Sequence, residues 1–128
     1  MEAAADAGIP FIVLDRPNPN GAFVEGPILE KQFRSFVGMH RIPLLHGMTV
    51  GELAQMFKGQ GWLKSTLDTP RALDLTVIPV EYYQRNLPYS LPVKPSPNLP
   101  NKQAIALYPS LGFFEATPVS IGRGTPFP

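Results

Sequence analysis

The sequence predicts an α/β protein built on a partial parallel sheet, with flanking helices and long proline-rich loops. Three observations carry that expectation. Two short apolar runs with strand character lie at residues 11–14 and 73–80, a capped amphipathic helix falls between them at residues 50–58, and the prolines crowd into residues 17–27 and 88–109. Apolar strands separated by a helix follow the logic of a β-α-β unit, whose strands lie parallel with helices on the sheet faces.

Residues 2–7 read as the last turns of a helix, because the alanines favour helix and Gly8 supplies a stop. A buried strand follows at residues 11–14. Residues 33–45 mix aromatic, glycine and basic residues without a clean period and read as irregular, with a short extended piece at 40–45. Thr49-Val50-Gly51-Glu52 is a capping box: the threonine oxygen accepts from the free amide of Glu52, and Glu52 reaches back to the amide of Thr49. Behind it Val50, Leu53, Ala54 and Phe57 recur at helical spacing, and Gly59 and Gly61 end the pattern. Further on, a short helix is expected at 103–108 and a third strand at 111–115. Three strands make a thin sheet, and the start inside a helix adds to the expectation that these 128 residues are a piece of a larger domain.

Composition narrows the function. Eleven basic and ten acidic side chains leave a net charge of +1, without the basic stripe that nucleic acid would require. No apolar run approaches the roughly 20 residues of a membrane span, and the first residues are too acidic and too short for a secretory signal. With no cysteine and only two histidines, neither a disulfide scaffold nor a metal site is expected, and no cofactor motif is present. Chemistry is left to carboxylates, Arg, His, Ser and Asn.

The candidates cluster where strands end. Ile12-Val13-Leu14 runs straight into Asp15-Arg16-Pro17-Asn18-Pro19-Asn20-Gly21, and ligand sites of open α/β sheets lie outside the carboxyl ends of strands. Asp15, Arg16, Asn18 and Asn20 are therefore candidate binding residues, although the same residue types also build plain turns. Glu25 follows in Val24-Glu25-Gly26-Pro27, and His46 stands just before the Thr49 cap. Ser96 and Asn98 sit on a proline-stiffened loop, which is either a preorganised sugar-binding loop or a surface connector. Glu115 leaves an apolar run, and Arg123 in Gly122-Arg123-Gly124-Thr125 is placed to fork onto an anion.

In order along the chain, Leu14-Asp15-Arg16-Pro17-Asn18-Pro19, Val24-Glu25-Gly26-Pro27, Ser35-Phe36-Val37-Gly38, His46-Gly47-Met48-Thr49-Val50-Gly51-Glu52, Asp74-Leu75-Thr76-Val77-Ile78-Pro79, Pro95-Ser96-Pro97-Asn98-Leu99-Pro100 and Gly122-Arg123-Gly124-Thr125 resemble one family. It is the bacterial exo-β-N-acetylmuramidase family of peptidoglycan-recycling glycoside hydrolases, long known as a domain of unknown function. The resemblance implies a Rossmann-like core over roughly residues 1–80 and a loop-rich segment over 81–128 leading to a second domain. The chain would then be a fragment of a two-domain protein that holds its substrate in the cleft between domains. It implies release of N-acetylmuramic acid from the non-reducing end of peptidoglycan fragments, sugars or muropeptides as partners, and a periplasmic or secreted location for the full-length protein. The catalytic glutamate of the family lies upstream of these motifs, so no catalytic acid is assigned here. Arg16 or Arg123 is the expected ligand for the lactyl carboxylate of muramic acid, with Asp15, Glu25 and Glu115 near the sugar. The family's Glu-Gly-Thr is Glu115-Ala116-Thr117 here, and an acid common before the last motif is replaced by Ile121. The alternatives to an enzyme fragment are a non-catalytic cell-wall sugar-binding module and a protein-interaction α/β module.

Overall fold

The computed structural model describes residues 1–64, 72–87 and 89–125. Position 88 of the second proline cluster lies outside them. Helix α1 (Glu2–Ala7) ends at Gly8, whose left-handed backbone lets its N–H close the turn onto Ala4 and Ala5. Strand β1 (Phe11–Leu14) pairs in parallel with strand β4 (Leu75–Ile78), Phe11 opposite Leu75 and Leu14 opposite Ile78. The ladder continues one residue further, because the Asp15 N–H donates to Ile78 O at 2.9 Å. That last bond fixes the Asp15 backbone at the sheet edge from which the candidate loop departs.

Helix α2 (Val50–Gly59) lies against both parallel strands and completes the expected β-α-β unit. Its capping box is formed as the spacing predicts: the Glu52 N–H donates to Thr49 Oγ1 and the Thr49 N–H donates to Glu52 Oε2 at 2.8 Å. Gly51 faces the sheet, and a Cβ there would stand 2.7 Å from both Asp15 Cγ and Val77 Cγ1. Close approach of helix to strand requires glycine at this point. A small core forms beside it, where Ala4, Leu63 and Leu73 are buried together and Phe11, Phe57 and Leu75 pack around them. On the opposite sheet face Ile12, Leu14 and Ile78 are exposed, so the described residues cover one side only.

Two expectations need correcting. Strand β2 (Val24–Ile28), inside the first proline cluster where the sequence predicts a proline-rich loop, pairs antiparallel with strand β3 (Pro43–His46), which overlaps the short extended piece expected at 40–45. The register shifts between Glu25 and Ile28, around Gly26 with φ +90°. A bulge of that kind accommodates Pro27, which cannot donate to a ladder and is tolerated on such an irregular edge. The third parallel strand predicted at 111–115 is absent from the described residues. Helix α3 (Lys102–Leu111) continues past the expected end and tightens into a 3-10 turn at Gly112–Phe114. Asn101 caps α3 by accepting from the Ala104 N–H at 2.8 Å, and Gly112 keeps right-handed helical dihedrals rather than breaking the helix. A four-residue apolar run has no period that separates strand from helix, and the cap upstream decided it. Among the described residues the sheets are thus one parallel pair plus one antiparallel pair, without the expected third strand.

Candidate functional site

The loop that leaves β1 is held in shape by its own side chains. Asn18 Oδ1 accepts from the Asn20 N–H at 2.9 Å, and the Gly21 N–H closes onto Asn18 O at 2.9 Å. This is the Asx-type turn that the residue types suggest. Two longer bonds then seat the loop on the rest of the chain: Asn18 Nδ2 donates to Met48 O at 3.0 Å, and Asn20 Nδ2 donates to Ile105 O at 3.4 Å. Beside them the loop, strand β3 and the end of α3 enclose a cavity of about 390 Å³, lined by Asn18, Asn20, His46 and Tyr108 among polar residues and by Leu44 and Phe113 among apolar ones.

His46 is tuned by the backbone of the same residue, Met48. The Met48 N–H donates to His46 Nδ1 at 3.1 Å, so the neutral ring carries its proton on Nε2 and presents it as a donor. Burial lowers the His46 pKa below its ordinary 6.5, which keeps this form in place at neutral pH. Burial also lowers the pKa of His40, with Arg34 adding to the effect and Glu2 opposing it. A histidine depressed in the folded state binds fewer protons than the unfolded chain, so stability is complete above about 6.5 and falls as pH drops below that value. The protein is therefore expected to lose thermal stability between pH 7 and pH 5. His46→Asn, whose Oδ1 still accepts from Met48 but does not titrate, should flatten part of that slope. An unchanged slope in thermal melts across this range would remove His46 from the account.

Asp15 faces inward rather than into the cavity. Its Oδ2 accepts from Thr49 Oγ1 at 2.8 Å, and its Oδ1 accepts from the N–H groups of Gly51 at 2.7 Å and Arg16 at 2.9 Å. It thereby satisfies the second amide of α2, which the capping box leaves free. Glu52 is likewise committed to its own N-terminus and to Arg85 at 2.5 Å. Partial burial raises its pKa, but the Thr49 amide and Arg85 outweigh burial and hold the carboxyl below its ordinary range.

Of the other candidates, Arg16 and Glu25 are exposed and lie outside the cavity lining. Ser96 Oγ accepts from the Asn98 N–H at 3.1 Å, and Asn98 O accepts from the Gly124 N–H at 3.0 Å. The proline-stiffened loop is thereby tied to the Gly122–Thr125 turn. Glu115 is ion-paired with Arg123, and Tyr108 donates its hydroxyl to Glu115 Oε1 at 2.8 Å. Asn98, Arg123 and Tyr108 share a narrow crevice behind the cavity. Tyr108 therefore links the Asn18–Asn20–His46 group to the Asn98–Glu115–Arg123 group. Sequence reasoning treated it only as the last residue of a short helix, and its one available signal was a polar aromatic tip near a helix end. A second, more apolar groove of about 800 Å³, lined by Phe33, Phe36, Met39 and Phe57, adjoins the cavity and shares Leu44, His46 and Phe113 with it.

Residues 1–103 match the family model described as "Exo-beta-N-acetylmuramidase NamZ, N-terminal". The chain belongs to this family. It is 47% identical over 133 residues to the peptidoglycan beta-N-acetylmuramidase NamZ of Bacillus subtilis, covering all of this chain and 30% of that protein. The crystal structure of a DUF1343 family protein from Bacteroides fragilis superposes with a TM-score of 0.90 at 53% identity, over 100% of this chain and 35% of that one. A second DUF1343 protein of that organism gives a TM-score of 0.76 at 35% identity, over 89% of this chain and 29% of that one. The chain thus spans about a third of the length of these relatives. Among the described residues no helix is long and apolar enough to cross a membrane.

Proposed function

We propose that the chain forms the sugar-holding part of an exo-β-N-acetylmuramidase that releases N-acetylmuramic acid from the non-reducing end of peptidoglycan fragments or muropeptides, at or beyond the cell envelope where peptidoglycan lies. The observation that carries this reading is the cavity at the end of β1. A chain 47% identical to a named muramidase places two asparagines, a histidine donor and a tyrosine around a space of about 390 Å³. Convergent neutral hydrogen-bonding groups on an apolar wall suit a pyranose with an acetamido group, which has hydroxyls, a carbonyl and an apolar face.

Glycoside hydrolysis uses a pair of carboxyl groups across the scissile bond. Among the described residues no Asp or Glu lines the cavity. Asp15 and Glu52 are bound to the α2 terminus, and Glu115 is bound to Arg123 and Tyr108. In this reading the catalytic acid is supplied by polypeptide outside these 128 residues, and residues 81–128 lead toward a second domain. His46 Nε2–H and Asn20 orient the sugar, while the apolar wall excludes water from one face.

The same lack of a cavity carboxylate favours a second reading, a non-catalytic module that binds cell-wall sugars. A chromogenic N-acetylmuramic acid glycoside separates the two when offered to this chain and to versions extended at both ends to the length of the relatives. Turnover by the extended protein alone is the expected result. Sugar binding without turnover in any version would instead support the binding module, and neither binding nor turnover would sink both.

A further inference from the structure

Strands β1 and β4 run parallel, so the loop leaving β4 departs from the same sheet edge as the Asn18–Asn20 turn. Tyr83, the second of its paired tyrosines, reaches that turn. The Tyr83 hydroxyl is buried and has no hydrogen-bond partner among the described residues, an arrangement rare in native proteins because nothing offsets the desolvation of the group. A Cβ built on the buried Gly21 would stand 2.5 Å from that hydroxyl and 3.0 Å from Asn18 O. Glycine at 21 is what lets the phenol press into the turn. The backbone that delivers it is strained and pinned. Tyr82 takes φ +57° and is 95% exposed, a left-handed conformation that an aromatic residue adopts only at a cost. Two residues beyond Tyr83, Arg85 bonds Glu52 at 2.5 Å and fastens the loop to the first turn of α2. Backbone strain and an orphaned polar group both mark places where position matters more than local stability.

We infer that Tyr83 is a positioning residue for the cavity, a strut whose hydroxyl spaces the Asn18–Gly21 turn from the β4 loop and so sets where Asn18 and Asn20 stand. The inference rests on the reading of the cavity as a sugar site. Both asparagines line it, and their side-chain amides donate to Met48 O at 3.0 Å and to Ile105 O at 3.4 Å. The second bond is long enough that a shift of a few tenths of an ångström breaks it. Tyr83 acts on the turn through contact and not through a hydrogen bond, so its effect on the fold and its effect on the cavity are separable.

Thermal melts, N-acetylmuramic acid titrations and the NMR signals of the Asn18 and Asn20 side-chain amides, compared for Tyr83→Phe, Gly21→Ala and the double variant, test this. Phenylalanine removes an unpartnered polar atom, so Tyr83→Phe should melt at or above the parent temperature. It should nevertheless weaken the sugar by about five- to tenfold, the effect of one misaligned hydrogen bond, and move both amide signals. Gly21→Ala drives a methyl group into the hydroxyl and should lower both melting temperature and affinity. In the double variant the methyl takes the space of the missing oxygen and restores the spacing, so both losses should largely reverse. Additive losses in the double variant, a lower melting temperature for Tyr83→Phe, or affinity and amide signals that ignore Tyr83→Phe would overturn the strut. Absence of sugar binding by the parent chain would reject the sugar reading instead, and the amide signals and the melts of the double variant would still decide the strut.

Discussion

Replacing Asp15 by alanine is expected to destabilise the protein by about 3 kcal/mol, because two groups that fold into the interior lose their acceptor at once. Thr49 is only 2% exposed, and its hydroxyl donates to Asp15 Oδ2. The Gly51 N–H, in the buried first turn of α2, donates to Asp15 Oδ1. Water reaches neither position easily, so each orphaned group carries its own desolvation cost of about 1–3 kcal/mol. Asp15→Asn should cost less, since one oxygen still accepts from Gly51 while the amide turns a donor toward Thr49. Urea unfolding of the two variants beside the parent checks the order. Loss of the same size in both would mean that charge at the helix N-terminus matters more than the individual bonds. The cavity should suffer as well, because Asn18 and His46 bond the C=O and N–H of Met48, immediately before this helix.

A comparable loss is expected from Gly47→Ala. Gly47 adopts φ +67°, and a Cβ there would lie 2.7 Å from Val24 Cγ2, 3.1 Å from Phe23 O and 3.3 Å from Gly21 O. The left-handed backbone alone costs a non-glycine residue about 1–2 kcal/mol. Two of the three neighbours are main-chain oxygens that cannot rotate away, so a further penalty of about 1–3 kcal/mol from overpacking is added. Gly59→Ala is the matched control: nothing lies within 4 Å of its Cβ position, and it is the last residue of α2. There alanine should be neutral or stabilise by up to about 1 kcal/mol through helix propensity and a less flexible unfolded chain. Thermal melts of both variants give the contrast directly. Equal shifts at positions 47 and 59 would show that glycine is replaced at similar cost anywhere in this segment, contrary to the geometry.

Several local features were legible before any coordinates. The Thr49–Glu52 capping box lies within one turn of chain, and the spacing of Leu53, Ala54 and Phe57 marks the more buried side of α2, whereas Val50 at its start is exposed. Strand β1 and its parallel partner β4 follow from apolar runs flanking that helix. Strand β2 escaped notice because Gly26 and Pro27 are the residues that normally argue against a strand, and only pairing with β3 around a bulge makes room for them. The 111–115 segment misled in the opposite direction, since short apolar runs serve strand and helix equally well. Asn18 and Asn20 stand out in the sequence at a strand end and His46 just before the Thr49 cap, and the fold brings the three to one cavity. The inward turn of Asp15 was not readable, because its acceptor role depends on Thr49 and Gly51, which lie 34 and 36 residues further along the chain. Tyr108 was missed for the same reason: Asn20 reaches α3 across 85 residues.

By itself, then, the sequence determined the elements whose causes lie within a turn or two of chain: caps, helix face, glycine stops and strand ends rich in polar residues. Its ordered motifs also determined the family. Tertiary structure alone decided which polar groups are consumed in holding the fold and which are left facing a cavity. That division depends on distances between residues far apart in the chain, and a carboxylate at a strand end becomes a structural anchor or a ligand contact according to which buried donors the packing of α2 brings within 3 Å of it.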